Sequence, residues 1–203
     1  MRKPTKVLLV RHGETTSIAN NRIHGQTDSP LSERGISAAQ KTAEYFRLQP
    51  PELIYSSSLG RALQTANIIG SAVDIQPIPM DGLREQYYGW LEGLPNSLFE
   101  PEGSGHWLFR PFVRFAMAFT AEKANDYQDR ILSTFNQIVE KHPGKQILFV
   151  VHWGMLCILE RYLSGKDVSH WFQQVEWHYC GISEFHLLEN AWKMVRLDDD
   201  RHL

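Results

Sequence analysis

The chain has 203 residues, of which 42% are hydrophobic and 22% charged, the balance of an ordinary globular domain with one sizeable core. Its formal net charge of -2 gives no general reason to bind nucleic acid or an anionic membrane, so an anion site has to come from a local group of Arg and His side chains. Apolar runs such as residues 147–151 are far shorter than the roughly 20 residues that span a bilayer. We therefore expect one cytoplasmic domain over residues 1–203 whose partner is a small anionic molecule. The oligomeric state cannot be read from the sequence.

The first part of the chain alternates between strand-like and helix-like segments. The patterns predict a strand at 6–10, a helix near 32–48, a strand at 53–55, a helix near 61–72 and a strand at 75–80. Ser32 is a suitable N-cap for the first helix, and the two prolines at 50–51 must end it. This order is the beginning of an α/β sheet.

The second part of the chain continues the alternation after an irregular stretch. The patterns predict a helix at 126–141, a break at 142–144, a central strand at 146–151, a helix starting near Gly154, and two closing strands at 182–188 and 192–197 joined by a tight turn at 189–191. Residues 94–120 are rich in Pro, Gly and aromatic residues without a clean period, and we interpret them as an inserted lid. The predicted fold class is α/β, a three-layer α/β/α sandwich with a mostly parallel central sheet.

Three predicted strand-to-helix junctions each carry a group that can bind phosphate. Arg11 and His12 follow the first strand, Arg61 follows the strand at 53–55, and His152 follows the strand at 146–151. Ligands of open α/β sheets bind beyond the carboxyl ends of the strands, so these side chains are expected to converge. The guanidinium donors match phosphate oxygens, and we expect the helix N-terminus near Gly60 to add backbone N–H groups.

An imidazole in such a group of cations can attack phosphorus in line when it is neutral. His12 is the candidate nucleophile, and it would form a phosphohistidine. The leaving alkoxide then needs a proton, which Glu85, just beyond the strand at 75–80, is placed to supply. The nine His residues show no spacing typical of metal ligands, so no metal and no cofactor is expected.

Four ordered sequence blocks resemble the histidine phosphatases, also called the phosphoglycerate mutase-like superfamily. The blocks are RHGET at 11–15, SSSLGRALQTA at 56–66, LRE at 83–85 with GWLEG at 89–93, and VVHWG at 150–154. Together they are far more specific than one short motif. The resemblance covers most of the chain and implies a phosphoglycerate mutase-like fold.

The resemblance also implies roles for single residues. It assigns phosphoryl binding to Arg11, Arg61 and His152, acceptance of the phosphoryl group to His12, and proton transfer to Glu85. Ser17 and His24 are further candidates for substrate binding.

The chain departs from the family pattern at several positions. Ile18 stands where the family often has Asn, His24 replaces a Gln, and Trp153 replaces a Gly beside the second His. The indole of Trp153 either narrows the pocket or offers a face to an apolar or aromatic substrate group. A Gly-Glu-Ser block of the family survives only as Glu122, eight residues before Arg130.

The sequence as a whole favours a metal-independent phosphomonoester hydrolase that acts through a phosphohistidine on a small phosphorylated substrate. Hydrolysis is preferred to mutase activity because the chain is shorter than the family's cofactor-dependent mutases and because the changes at Ile18 and Trp153 indicate a specialised pocket. Two alternatives remain open. One is a cofactor-dependent phosphoglycerate mutase, and the other is a weakened family member that binds a phosphorylated ligand or a protein without turnover.

Overall fold

The structure of the chain, a computed structural model, describes residues 3–19, 21–99, 110–171, 176–189 and 191–203. The strands are β1 (Thr5–Arg11), β2 (Leu53–Ser57), β3 (Ile78–Met80), β4 (Gln146–Val151), β5 (Ile182–Leu188) and β6 (Ala191–Asp199). The helices are the single turn α1 (Thr16–Ala19), α2 (Glu33–Leu48), α3 (Gly60–Val73), α4 (Arg110–Phe119), α5 (Ala124–Lys141) and α6 (Trp153–Leu163).

The strands form one sheet in the order β3-β2-β4-β1-β5-β6. β1 to β4 run parallel to their neighbours within this group, while β5 pairs antiparallel with β1 and β6 pairs antiparallel with β5. The sheet is therefore mostly parallel, and its first four strands end at the same edge. This confirms the predicted α/β fold class.

Alternating side chains of the central strands fill two hydrophobic cores. In β1, Val7 and Leu9 face the core formed with α5 and α6, whereas Leu8 and Val10 face the core formed with α2 and α3. Successive strand residues point to opposite faces, so a strand that is covered on both sides is apolar throughout. Each core lies between the sheet and one layer of helices, which gives the three layers of the sandwich.

Most predicted elements agree with the structure, but several boundaries differ. β2 extends to Ser57 and β6 to Asp199, beyond the predicted ends at 55 and 197. The strand predicted at 75–80 is only Ile78–Met80, because this edge of the sheet contains two prolines, which lack the N–H that a ladder needs. The last strand begins at Ala191, which had been placed in the turn. The backbone reverses at Glu189, whose φ is +56°.

The segment predicted as a lid contains a regular helix. α4 has a helical period that the sequence interpretation missed, and it packs Ala116 against Ile23 and Leu91. Aromatic rings of the same helix are exposed, at Phe112, Phe115 and Phe119. Residues 100–109 lie outside the described part of the chain, so a lid near 94–120 stays a prediction.

Two further features concern the helices and the cysteines. No helix of the described residues is long and apolar enough to cross a membrane. Cys157 and Cys180 are buried free thiols.

Phe135→Ala is expected to lower the free energy of unfolding by about 3–5 kcal/mol, since the fully buried ring packs against Phe149 with centroids 5.3 Å apart. Urea unfolding of the purified variant measures the change. The matched control is Phe119→Ala, because Phe119 is 74% exposed and its truncation should cost less than about 1 kcal/mol. Equal losses at the two positions would contradict this assignment of the core.

Candidate active site

Strand pairing brings the two predicted active-site histidines together. In the parallel register of β1 and β4, Arg11 pairs with Val151, so the next residues, His12 and His152, stand side by side. The His12 amide donates to the Val151 carbonyl oxygen at 2.9 Å, and the centroids of the two imidazole rings are 5.1 Å apart. The convergence predicted for these two strand ends is thus present.

A cavity of about 250 Å³ opens at this edge of the sheet. Its lining residues are Arg11, His12, Arg22, Ile23, His24, Gly25, Arg61, Glu85, Tyr88, Asn96, Trp153 and Tyr179. The candidates Arg11, His12, His24, Arg61 and Glu85 therefore share one cavity. A larger cleft of about 400 Å³ beside α3 has no charged side chain in its lining, which makes it unsuitable for a phosphate.

Of the candidates, His152 and Ser17 are not among the residues that line the cavity. His152 lies beside His12, whereas Ser17 is bonded to a neighbouring loop. Its amide donates to the Ser29 hydroxyl at 3.1 Å, and its carbonyl oxygen accepts from the Arg22 amide at 3.2 Å. A role as phosphate ligand stays a prediction for Ser17. The side chain of Ile18, where the family often has Asn, lies outside the described part of the chain.

The hydrogen bonds of His12 define its tautomer. Nδ1 lies 2.7 Å from the Gly13 carbonyl oxygen, which can only accept, so Nδ1 carries the hydrogen. On the other side of the ring, Nε of Arg61, which can only donate, lies 3.3 Å from Nε2. Nε2 therefore keeps its lone pair free of a proton, as a nucleophilic nitrogen must.

Burial keeps His12 uncharged. The residue is 3% exposed, and desolvation lowers its pKa well below the usual 6.5, with Arg61 and Arg11 lowering it further. The pKa of His152 is also lowered well below 6.5, first by burial and then by Arg61. Both imidazoles are therefore neutral near pH 7.

Arg61 is a buried cation that is held mainly by backbone carbonyl groups. It is 1% exposed, and its Nη2 and Nη1 donate to the carbonyl oxygens of Gly25 and Thr27 at 2.7 and 3.1 Å. The carboxylate of Asp28 approaches Nη1 only to 3.9 Å. Burial lowers the pKa of Arg61, but a guanidinium stays charged in proteins. Its positive charge thus remains available to an anion in the cavity.

The N-terminus of α3 does not offer its first N–H groups to a ligand, which corrects the prediction made for Gly60. The amide of Gly60 donates to Oδ2 of Asp28 at 2.6 Å, and the amide of Arg61 donates to Oδ1 at 3.2 Å. Asp28 caps the helix because Leu59, at the N-cap position, has no side-chain acceptor. The anion at this helix end is therefore a carboxylate of the chain itself.

Arg11 is fixed on the cavity wall by one carbonyl and one aromatic ring. Its Nη1 donates to the Trp177 carbonyl oxygen at 2.5 Å, and its guanidinium carbon lies 3.8 Å from the centroid of the Tyr179 ring. The same ring lies 6.0 Å from the ring of His12. A second guanidinium is thus positioned close to His12.

His152 is fully buried, and neither of its ring nitrogens has a hydrogen-bond partner among the described residues. Buried polar groups are nearly always paired with protein, water or a ligand, so the His152 imidazole is available to hydrogen-bond a group that binds beside His12. A neutral imidazole has one N–H to donate. An oxygen of a phosphoryl group bound at His12 would accept it.

Glu85 is held in one orientation by three donors. Oε1 accepts from the Tyr127 hydroxyl at 2.6 Å and from the Gln86 amide at 2.9 Å, while Oε2 accepts from the Gly154 amide at 3.1 Å. The residue is 8% exposed. A Cβ at position 154 would lie 2.7 Å from Oε1, so the close approach of α6 requires glycine. The sequence analysis had not identified Tyr127, because its place in the apolar pattern of α5 says nothing about its hydroxyl.

Glu92 is a further residue for which the sequence analysis predicted no role. Its Oε1 accepts from the amides of Gln26 and Tyr88 at 2.8 and 3.0 Å, and its Oε2 accepts from the amide and the hydroxyl of Thr27 at 2.8 and 2.6 Å. These bonds fix the loop whose carbonyl groups hold Arg61. Glu92 belongs to the recognised GWLEG block, but its target loop cannot be read from spacing.

Arg130 supports the Glu85 segment. Its Nε and Nη2 bind the carboxylate of Glu122 at 2.9 and 2.8 Å, and its Nη1 donates to the carbonyl oxygens of Gly82 and Arg84, each at 3.0 Å. The eight-residue spacing of Glu122 and Arg130 is visible in the sequence. Its effect on the 82–85 segment appears only in the folded chain.

Aromatic rings form much of the remaining lining of the cavity, at Tyr88, Trp153 and Tyr179. Trp153, the first residue of α6, belongs to this lining and also packs against the core formed with α5 and α6. A contact between its indole and a substrate stays a prediction. Within the described ranges, no group of three or more His, Cys, Asp and Glu side chains is arranged to hold a metal ion.

Comparison with known families identifies the chain. Residues 7–200 match the model of the histidine phosphatase superfamily, branch 1. The chain belongs to this superfamily. The resemblance seen in the four sequence blocks is thereby confirmed.

The relatives include both phosphatases and mutases. The chain is 31% identical over 204 residues to a metal-independent phosphoserine phosphatase of Arabidopsis thaliana, with 98% of this chain and 83% of that protein covered. It is 33% identical over 189 residues to the probable phosphoglycerate mutase GpmB of Yersinia pestis, with 92% and 87% covered. Among solved structures, YhfR of Bacillus stearothermophilus superimposes with a TM-score of 0.83 at 26% identity and covers 98% of each chain.

His24→Gln is expected to make the free energy of unfolding of this chain less sensitive to acid. Burial and Arg61 lower the pKa of His24 to about 4 in the folded chain, whereas an unfolded histidine titrates near about 6.5. Between these values the unfolded chain binds a proton that the folded chain does not, so the free energy of unfolding falls as pH drops below about 6.5. Urea unfolding near pH 7 and near pH 5 measures the difference.

His178→Gln is the control with the opposite sign. Its hydrogen bond to Asp198 raises the pKa of His178, so its proton stabilises the folded chain in acid and its stabilisation is lost as pH rises. Without this imidazole, the free energy of unfolding should fall further between pH 7 and pH 5 than in the wild type. The effect should be small, because the side chain is 56% exposed. A change of the same sign in both variants would contradict the assignment.

Proposed function

We propose that the protein is a metal-independent phosphomonoester hydrolase that acts through phospho-His12 on a small phosphorylated substrate. The observation that carries the proposal is the state of His12, whose Nδ1–H is held by Gly13 and whose unprotonated Nε2 lies among two guanidinium groups. The relative named as a metal-independent phosphoserine phosphatase supports this reading. The proposal includes a cytoplasmic location, in keeping with the free thiols of Cys157 and Cys180.

The first step transfers the phosphoryl group to the enzyme. Nε2 of His12 attacks phosphorus, the N–P bond forms as the ester P–O bond breaks, and Glu85 gives its proton to the leaving alkoxide. Arg11 and Arg61 stabilise the charge on the equatorial oxygens, and His152 donates its N–H to one of them. The bond from Nδ1–H to the Gly13 carbonyl oxygen stabilises the positive charge that the imidazole acquires.

The second step returns the enzyme to its starting state. Water attacks phosphorus, the N–P bond breaks, and the Glu85 carboxylate accepts a proton from the water. Inorganic phosphate leaves, and His12 is again a neutral imidazole with an unprotonated Nε2. No metal ion is required in either step, because the attacking atom is already unprotonated and the guanidinium groups supply the positive charge.

Wild-type protein is expected to hydrolyse an aryl phosphate in the presence of a chelator and to form an acid-labile, base-stable phosphoryl adduct that His12→Ala lacks. Turnover measures hydrolysis, and rapid quenching in acid and in base measures the adduct. Arg34→Ala is a suitable control, because Arg34 lies on the exposed surface of α2. Folded protein that binds phosphate but forms no adduct and releases no product would instead favour the weakened, non-catalytic family member.

Phosphoglycerate mutase activity is the second candidate, favoured by the relative named as a probable mutase. A mutase must retain its bisphosphorylated intermediate, whereas a phosphatase must admit water and release its product. With 3-phosphoglycerate and a bisphosphorylated primer, we expect at most slow interconversion of the 2- and 3-isomers. Efficient interconversion in wild type that is lost in His12→Ala would overturn the hydrolase assignment.

A further inference from the structure

Tyr127 is a buried residue next to the proton donor of the proposed reaction, and the two-step mechanism does not use it. It lies on α5 with no exposed surface, one helical turn before Ile131. Its hydroxyl donates to Oε1 of Glu85 at 2.6 Å, the shortest of the three bonds to this carboxyl group. A buried tyrosine hydroxyl needs a partner, and here the partner is the group that must hold and release a proton.

The three donors divide unequally between the two oxygens of Glu85. Oε1 accepts from the Tyr127 hydroxyl and the Gln86 amide, whereas Oε2 accepts only from the Gly154 amide. A carboxylate oxygen has two lone-pair sites, so Oε1 is fully occupied and Oε2 has one site left. A proton on Glu85 therefore belongs on Oε2.

We propose that Tyr127 is a positioning residue that holds Oε1 of Glu85, so that Oε2 is the atom that gives its proton to the leaving oxygen and takes one back from the attacking water. This inference rests on the proposed hydrolase function. The balance of the reaction is unchanged: one proton leaves Oε2 as the P–O bond breaks, and one returns to it as water attacks.

The surroundings of Tyr127 fit a positioning role rather than proton transfer by the phenol itself. Burial and the Glu85 carboxylate raise the pKa of Tyr127 well above its usual value of 10, so the hydroxyl stays protonated throughout the cycle. The ring is held by Trp171, edge-on at 5.4 Å, and by the guanidinium of Arg130 at 5.1 Å. Arg130 also binds the backbone before Glu85, so one cation fixes both the phenol and the segment that carries the carboxyl group.

Position 154 adds a second constraint on the same atoms. A Cβ there would lie 2.7 Å from Oε1 of Glu85 and 3.0 Å from the Tyr127 hydroxyl oxygen. The phenol, the carboxyl group and the first turn of α6 are therefore in mutual contact. Little room is left for Glu85 to rotate while the Tyr127 hydrogen bond is in place.

The test is Tyr127→Phe assayed on two phosphate monoesters that differ in leaving group. An alkyl phosphate needs a proton on its leaving oxygen, whereas a nitrophenyl phosphate does not. kcat/KM covers only the steps up to departure of the alcohol, so it isolates this proton transfer from the later hydrolysis. We expect kcat/KM to fall at least about tenfold for the alkyl ester and less than about twofold for the nitrophenyl ester.

Three features of the design keep the result specific. The ratio of the two kcat/KM values does not depend on the amount of folded enzyme, so partial unfolding of Tyr127→Phe cannot produce the effect. Tyr162→Phe removes a comparable hydroxyl, which donates to Asn136 at 3.1 Å away from the cavity lining, and should leave the ratio unchanged. In a Glu85→Gln background, adding Tyr127→Phe should not change the ratio further.

The outcomes separate this inference from the function on which it rests. Equal losses on both esters, or no loss on either, in a wild type that forms the phosphohistidine would overturn the positioning role alone. A ratio that still changes in the Glu85→Gln background would overturn it as well. A wild type with no phosphoenzyme and no turnover would overturn the hydrolase proposal and this inference together.

Discussion

The site depends on keeping one guanidinium charged while it is buried. An isolated charge inside a protein is costly, and a close carboxylate would remove much of its attraction for a substrate anion. Arg61 avoids both of these costs. The carbonyl oxygens of Gly25 and Thr27 accept its N–H groups, and the carboxylate of Asp28 stays 3.9 Å from Nη1. Carbonyl dipoles satisfy the donors without cancelling the charge. The same guanidinium lowers the pKa of His12, and it thereby also helps to keep this imidazole neutral.

Because carbonyl groups hold Arg61, the loops that carry these groups at the sheet edge must themselves be kept in place. The loop that carries Gly25 and Thr27 has no regular secondary structure to hold its carbonyl groups in place, and three hydrogen bonds from Gln26 and Thr27 to Glu92 perform that task. Arg130 does the same for the segment before Glu85. Glu92 and the ion pair of Arg130 with Glu122 thus determine where charged groups of the cavity lie. Substitutions in them are therefore expected to act on the site through backbone position.

The sequence predicted those parts of the molecule that depend on local pattern. An apolar run that ends at Arg11 and His12 defines both a buried strand and the edge where chemistry is placed, and the order of such junctions predicts the sheet. The partners that act across the chain were not predictable. Asp28 occupies the N-terminus of α3 only because the fold brings its loop there. Tyr127 fits the apolar face of α5 by spacing, and nothing local indicates that its hydroxyl meets Glu85.

Trp153, which departs from the family pattern, stands where a backbone contact of Glu85 adjoins the side chains of the cavity lining. The amide of the next residue, Gly154, donates to Glu85. The backbone at the start of α6 can make this hydrogen bond whichever side chain stands at position 153. Trp153 and Tyr88 both belong to the lining of the cavity. The backbone contacts at the sheet edge leave little room for change, since a Cβ at position 154 would lie 2.7 Å from Oε1 of Glu85. Under the proposed function, lining residues such as Tyr88 and Trp153 would contact the leaving group, and aromatic residues there suit a group with an apolar face. One fold can in this way keep a single reaction while its substrates differ.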